Sequence, residues 1–193
     1  MVVLTRNEKK VLRLLAVSFD KDYSINNIAR LVSITPNGAY KILKKFENEE
    51  ILEVKPIANI KSYKLNFDSE KTSSVLELAF MPEILEGRVK IRANDLKQLK
   101  TVTKTCILFG SYITTKKDPE DLDILFVFEQ SNYSAYKKSL EKVRNIIPIK
   151  IQDVIQTLED LQKNLKTQDK IIIEALRNGI VLWGFDTITK VIK

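Results

Sequence analysis

A short apolar run, Cys106 to Phe109, stops at Gly110-Ser111, and after a nine-residue loop Asp121-Leu122-Asp123 opens a second apolar run, Ile124 to Phe128. This pattern constrains the fold more than any other stretch of the chain. Both runs are short and rich in branched and aromatic residues, which predicts two buried strands. Strand side chains alternate faces, so Asp121 and Asp123 project from one face, about 7 Å apart along the strand at roughly 3.3 Å per residue. Ionised carboxylates beside a buried strand are costly unless something compensates them, and a divalent cation compensates both. Oxygen ligands of this kind suit Mg²⁺ or Mn²⁺, with substrate phosphates completing the coordination shell. The turn fits the same chemistry: Gly110 lets a phosphate approach the backbone, and Ser111 offers a hydroxyl and an N–H.

Composition narrows the chemistry. A single cysteine, Cys106, excludes an internal disulfide and a cysteine-based zinc site, and the absence of histidine removes the commonest general base and transition-metal ligand. Cys106 lies in an apolar run and reads as a small core residue. Any catalysis must therefore rest on carboxylates and metal. The net charge of +7 favours an anionic partner. No apolar run approaches the ~20 residues of a membrane span, and no signal-peptide pattern follows Met1, so the expectation is a cytoplasmic chain without a membrane partner.

At Ile107 to Ser111 and Asp121 to Phe128 the sequence resembles the minimal nucleotidyltransferases of the DNA polymerase β superfamily: an apolar strand ending in Gly-Ser, a loop of about ten residues, and Asp-x-Asp opening the next strand. The resemblance extends over residues 88–184, and the closing segment Glu174 to Gly184 also matches the ends of such proteins. It implies an α/β (α+β) domain with a mixed sheet flanked by helices. Within it Gly110, Ser111 and Lys116 would bind the nucleotide, Asp121 and Asp123 the metal, and ATP or another NTP would be the substrate. The loop 112–120 is one residue shorter than usual and carries Thr114-Thr115-Lys116-Lys117 where relatives often place a glycine and an arginine.

A third carboxylate completes the catalytic set in that superfamily. The segment Asp153 to Leu161 resembles its Asp-containing strand ending, but aligned without a gap from Leu161 the acid position falls on Val154, and Asp153 matches only with one inserted residue. Neighbouring residues of a strand face opposite ways, so the choice decides whether the site has its base. The strand expected over 147–155 puts Ile149, Ile151 and Asp153 on one face, which favours Asp153 pointing inward as the third catalytic residue beside Asp121 and Asp123.

The first half reads as helices and a hairpin. Thr5 to Glu8 is a capping box opening a helix over about 6–19, Ser24 caps a short second helix, and Thr35-Pro36 starts a third that runs to about residue 50. The third helix buries Ala39, Ile42, Leu43 and Phe46, leaving Asn37, Tyr40, Lys41, Lys44 and Lys45 outward. Strands over 51–56 and 61–67 follow, with Lys55, Lys61 and Lys64 available for phosphates. This order resembles the winged helix-turn-helix of many bacterial and archaeal regulators, which implies that the third helix enters a major groove. Residues 1–68 hold 12 Lys+Arg against 8 Asp+Glu, so DNA affinity should be modest and salt-dependent.

The expected organisation is a winged helix-turn-helix over 1–68, a linker and basic helix over 69–104, and a nucleotidyltransferase-like domain over 105–193. Pro82 is expected to start or kink a helix reaching Lys104, basic through Arg88, Lys90, Arg92, Lys97, Lys100 and Lys104. After the second strand, a helix over 132–145, short helices opened by Thr157 and Thr167, and a strand over 180–183 complete the chain. Two functions are consistent with this. One is a metal-dependent nucleotidyltransferase acting on an acceptor that includes a protein among the candidates, as in antitoxins that nucleotidylate a toxin, with duplex DNA bound by the first domain. The other is a DNA-binding transcriptional regulator whose nucleotidyltransferase fold is inactive and serves as a ligand sensor or homodimerisation module.

Overall fold

The structure, a computed structural model, describes residues 3–18, 21–57, 60–114 and 118–193. It is a mixed α+β protein with nine α-helices and two small sheets among the described residues. The chain forms two compact units, Met1–Phe80 with Ile192–Lys193, and Met81–Val191.

In the first unit, α1 (Arg6–Ala16), α2 (Ile25–Val32) and α3 (Pro36–Asn48) precede an antiparallel hairpin of β1 (Leu52–Ile57) and β2 (Ile60–Leu65), and α4 (Glu70–Phe80) closes the unit. Local chemistry explains the helix starts. The Thr5 hydroxyl and the Glu8 carboxylate cap each other's backbone at α1, Ser24 accepts from the Asn27 N–H, and Thr35 accepts from the Gly38 N–H with Pro36 in the first turn. The α2–α3 connection is tight because Ser33 adopts a left-handed conformation, φ 58°. Val11, Leu12, Ile28, Leu43, Phe46 and Tyr63 bury almost completely, each worth about 1.5–3 kcal/mol of transfer. Asp22 pins the hairpin from the segment before α2, accepting from the Ser62 hydroxyl at 2.7 Å and lying 3.7 Å from Lys64.

The second unit is built on a four-stranded sheet, order β5-β4-β3-β6, of β3 (Thr105–Phe109), β4 (Asp121–Val127), β5 (Lys150–Gln156) and β6 (Ile180–Trp183). β3 is antiparallel to both β4 and β6, and β4 runs parallel to β5. On one face α6 (Tyr133–Arg144), with Leu96 and Leu99, covers Cys106, Leu108, Ile124 and Phe126. On the other, α7 (Leu158–Lys166) packs on β5 and α8 (Lys170–Asn178) on β3. α5 (Gly87–Leu96) precedes the sheet, and α9 (Phe185–Ile192) follows it. Cys106 is fully buried, and burial pushes its thiol well up, so it is an inert core residue.

Several boundaries differ from the sequence reading. Residues 69–80 are no linker: Val75, Leu76, Ala79 and Phe80 give α4 a buried face that packs on α1, so the unit boundary falls after Phe80 rather than at 68. The helix expected from Pro82 begins only at Gly87, whose φ of +52° sets it apart from the chain before it, and gives way to a 3-10 turn over Lys97–Thr101. Its basic character is partly internal, since Arg92 Nε sits 3.2 Å from Asp95, out of hydrogen-bond alignment, on a side chain only 13% exposed. Thr167 ends α7, and Asp169 caps α8 by accepting from the Ile171 and Ile172 N–H groups at 3.0 Å.

Candidate functional site

β3 and β4 bring the Gly-Ser turn and the carboxylate pair together. Phe109 registers opposite Asp123, so Gly110 follows directly beside it. Gly110 has φ +70°, and a Cβ there would land on Asp123 Oδ2, so only glycine leaves room for this carboxylate. Ser111 lies in the 3-10 turn Gly110–Ile113, and its carbonyl accepts from the Thr114 N–H at 3.2 Å and the Thr114 hydroxyl at 2.7 Å. Arg88 of α5 donates to the Thr114 carbonyl at 2.6 Å while its guanidinium stacks 5.0 Å from the buried Tyr112 ring. Lys116 lies outside the described residues.

Asp121 and Asp123 share the α8 face of the sheet, since Leu122, Ile124 and Phe126 occupy the α6 face. The Gln152 side-chain amide donates to Asp121 Oδ2. The Asp123 carboxyl is raised above the usual aspartate range, first by burial and then by the charges of Asp121 and Glu174. A cleft lined by Phe109, Gly110, Asp123, Lys150, Gln152 and Glu174 opens here, with Ile171, half exposed, on its rim. Glu174 was not singled out as a site residue in the sequence. It lies three residues after Ile171 on α8, and a contact from a helix to the far side of a strand leaves no local pattern to read. Among the described residues no group of three or more acidic or thiol side chains is placed to hold a metal by itself. Two carboxylates do fit an ion that brings its remaining ligands with a phosphate substrate.

Asp153 does not join this site, which corrects the expectation of an inward third acid. In the parallel β4–β5 pair Asp153 registers with Ile124 and Gln152 with Asp123, so Asp153 projects to the α6 face. There it accepts from the Tyr136 hydroxyl at 2.8 Å and pairs with Arg144 at 2.9 Å. Desolvation, then the hydrogen bond to Asp153, pushes the Tyr136 phenol far up, so it stays a donor. Val154, in register with Leu125, faces the α8 side with the carboxylate pair. The alternation expected along β5 is present; the face it serves is the opposite one.

In the first unit, Asn37, Tyr40 and Lys61 line one surface hollow with Ser24, Asn26 and Pro36, so residues from the α2 and α3 starts and from β2 converge. Asn37, Tyr40, Lys41 and Lys61 are exposed. Lys44 pairs with Glu47 at 3.1 Å one turn along α3. Lys45 is drawn away from the hollow: it bonds Glu8 at 2.8 Å and so ties α3 to the capped end of α1. Burial pushes the Glu8 carboxyl up, yet Lys45 and the Thr5 backbone and hydroxyl donors outweigh it and leave it lowered. Lys64 is likewise engaged with Asp22 and Lys55 with Glu53, whereas Lys41 and Lys61 have no ion-pair partner among the described residues.

Residues 83–177 match a family of unknown function, DUF6932, a span that contains the Gly110-Ser111 turn, both site carboxylates, β5 and Glu174. No curated protein and no solved structure matches the chain. No described helix is long and apolar enough to cross a membrane.

Proposed function

We propose that the second unit binds a nucleoside triphosphate with a divalent cation, Mg²⁺ or Mn²⁺, and that the first unit is a winged helix-turn-helix that binds duplex DNA. The chain is then a nucleotide-responsive DNA-binding regulator carrying a nucleotidyltransferase-like fold without the transfer reaction. The observation that carries this reading is the placement of Asp153 on the far face of β5, where it serves Tyr136 and Arg144. That leaves an amide, Gln152, and a methyl-bearing side chain, Val154, facing the carboxylate pair. Neither can take a proton from an acceptor hydroxyl, a contribution typically worth roughly 10²–10⁴-fold in rate. Binding needs less: Gly110 and Ser111 offer backbone to phosphates, and Asp121 and Asp123 offer oxygens to the cation that travels with them. Lys150 on the cleft wall adds a positive charge.

Transfer to an acceptor is the second reading, and Glu174 is what favours it, because a carboxylate from α8 close enough to perturb Asp123 stands in the same cleft. Two measurements separate them. Calorimetric titration of Mg²⁺-ATP is expected to show binding that Asp121→Asn with Asp123→Asn abolishes while the fold survives; unchanged Mg²⁺-dependent binding in that double variant rejects both readings. Incubation with labelled NTP, Mg²⁺ and cell extract is expected to label nothing, whereas pyrophosphate release with a labelled acceptor establishes transfer.

A further inference from the structure

We infer that the cleft accommodates a single divalent cation, the one carried by the nucleotide, and that Gln152 and Val154 of β5 exclude a second. This rests on the nucleotide-binding reading above and specifies its metal stoichiometry. Two divalent ions held about 3.5–4 Å apart, as in two-metal sites, repel roughly four times as strongly as two unit charges, so anionic ligands must flank them on both sides. On the β4 side Asp121 and Asp123 meet that need. On the β5 side the parallel register places Gln152 beside Asp123 and Val154 beside Leu125, both on the cleft face and neither charged. Gln152 also donates its amide to Asp121 Oδ2, so the β5 side chain that could bring a charge instead occupies an acceptor of the pair. Asp123 Oδ2 lies so close to Gly110 that a Cβ there would collide with it, which turns this carboxylate towards the Gly110-Ser111 turn rather than towards β5. A cation that arrives with a triphosphate fits such a half-built site, because phosphate oxygens and water fill its other positions.

Electron paramagnetic resonance of the full chain with Mn²⁺ and a non-hydrolysable ATP analogue tests this. One Mn²⁺ per chain without Mn–Mn coupling is expected for the wild type. Gln152→Glu and Val154→Asp each place a carboxylate on this face and are expected to admit a second, coupled Mn²⁺. Gln152 is exposed, so Gln152→Glu keeps the test open if the half-buried Val154→Asp fails to fold. Two coupled ions in the wild type overturn the inference and leave nucleotide binding intact. One ion in the wild type and in both variants removes β5 as the cause and overturns it as well. No nucleotide-dependent Mn²⁺ binding, or binding unchanged by Asp121→Asn with Asp123→Asn, overturns the nucleotide reading itself and this inference with it.

Discussion

At the scale of residues, Asp123 and Asp153 show how one strand register gives two aspartates opposite employment. Burial, then the charges of Asp121 and Glu174, raise the Asp123 carboxyl. The folded chain therefore holds this proton more tightly than the unfolded chain, so ionisation weakens the fold as pH rises past the raised value, and the penalty is relieved as pH falls back through it. Asp123→Asn is expected to raise the thermal midpoint at neutral pH, with the gain shrinking towards about pH 4, the ordinary aspartate value. Calorimetric melting across that range checks it, and a gain that persists unchanged in acid rejects the repulsion. Asp153 is satisfied by a phenol and a guanidinium, so Asp153→Asn should cost about 1–3 kcal/mol through a weakened hydrogen bond and ion pair. The same variant should leave Mg²⁺-ATP affinity unchanged. A large loss of affinity without loss of stability would return Asp153 to the site.

At the scale of elements, what was legible in the sequence is what local chemistry decides. The Thr5–Glu8 box, Ser24 and Thr35-Pro36 each cap a helix within three residues of their partner, and each helix starts where they place it. The Gly110 turn and the Asp121–Asp123 pair are equally local and meet as the spacing suggests. The face of β5 is not local: it depends on pairing Ile124 with Asp153 rather than with a neighbour, and a slip of one residue exchanges the two faces. The same limit hid the α4 face, whose Val75, Leu76 and Phe80 find their partner in α1, and the Lys45–Glu8 pair across 37 positions. That pair makes a prediction for α3. Lys41→Ala should weaken duplex binding for every sequence and flatten the salt slope by about one unit, while Asn37→Ala relaxes sequence preference. Lys45→Ala should instead lower stability and leave the salt slope intact. Fluorescence anisotropy at graded salt measures both; equal slopes for the two lysine variants would contradict the division.

At the scale of the whole molecule, a chain of net charge +7 joins a lysine-bearing helical unit to a unit with a phosphate-compatible cleft. Residues 1–68 contribute 12 basic against 8 acidic side chains, and several of those lysines are already paired, so few cations remain to displace counterions from DNA. Binding should therefore be clear at ~50 mM salt and fall steeply above it. A regulator requires more than two independent sites; its nucleotide must change its affinity for DNA. Linkage then demands reciprocity: if Mg²⁺-ATP alters the DNA dissociation constant by some factor, DNA alters the Mg²⁺-ATP constant by the same factor, commonly about 5–150-fold where sites are coupled. The regulator reading predicts such a factor, equal from both directions and abolished by Asp121→Asn with Asp123→Asn, which leaves DNA binding by the first unit unchanged. Titrating DNA with and without Mg²⁺-ATP, and Mg²⁺-ATP with and without DNA, closes the cycle. Tight binding of both ligands with a factor of one would leave the two units as separate binding modules and remove regulation by nucleotide from the account.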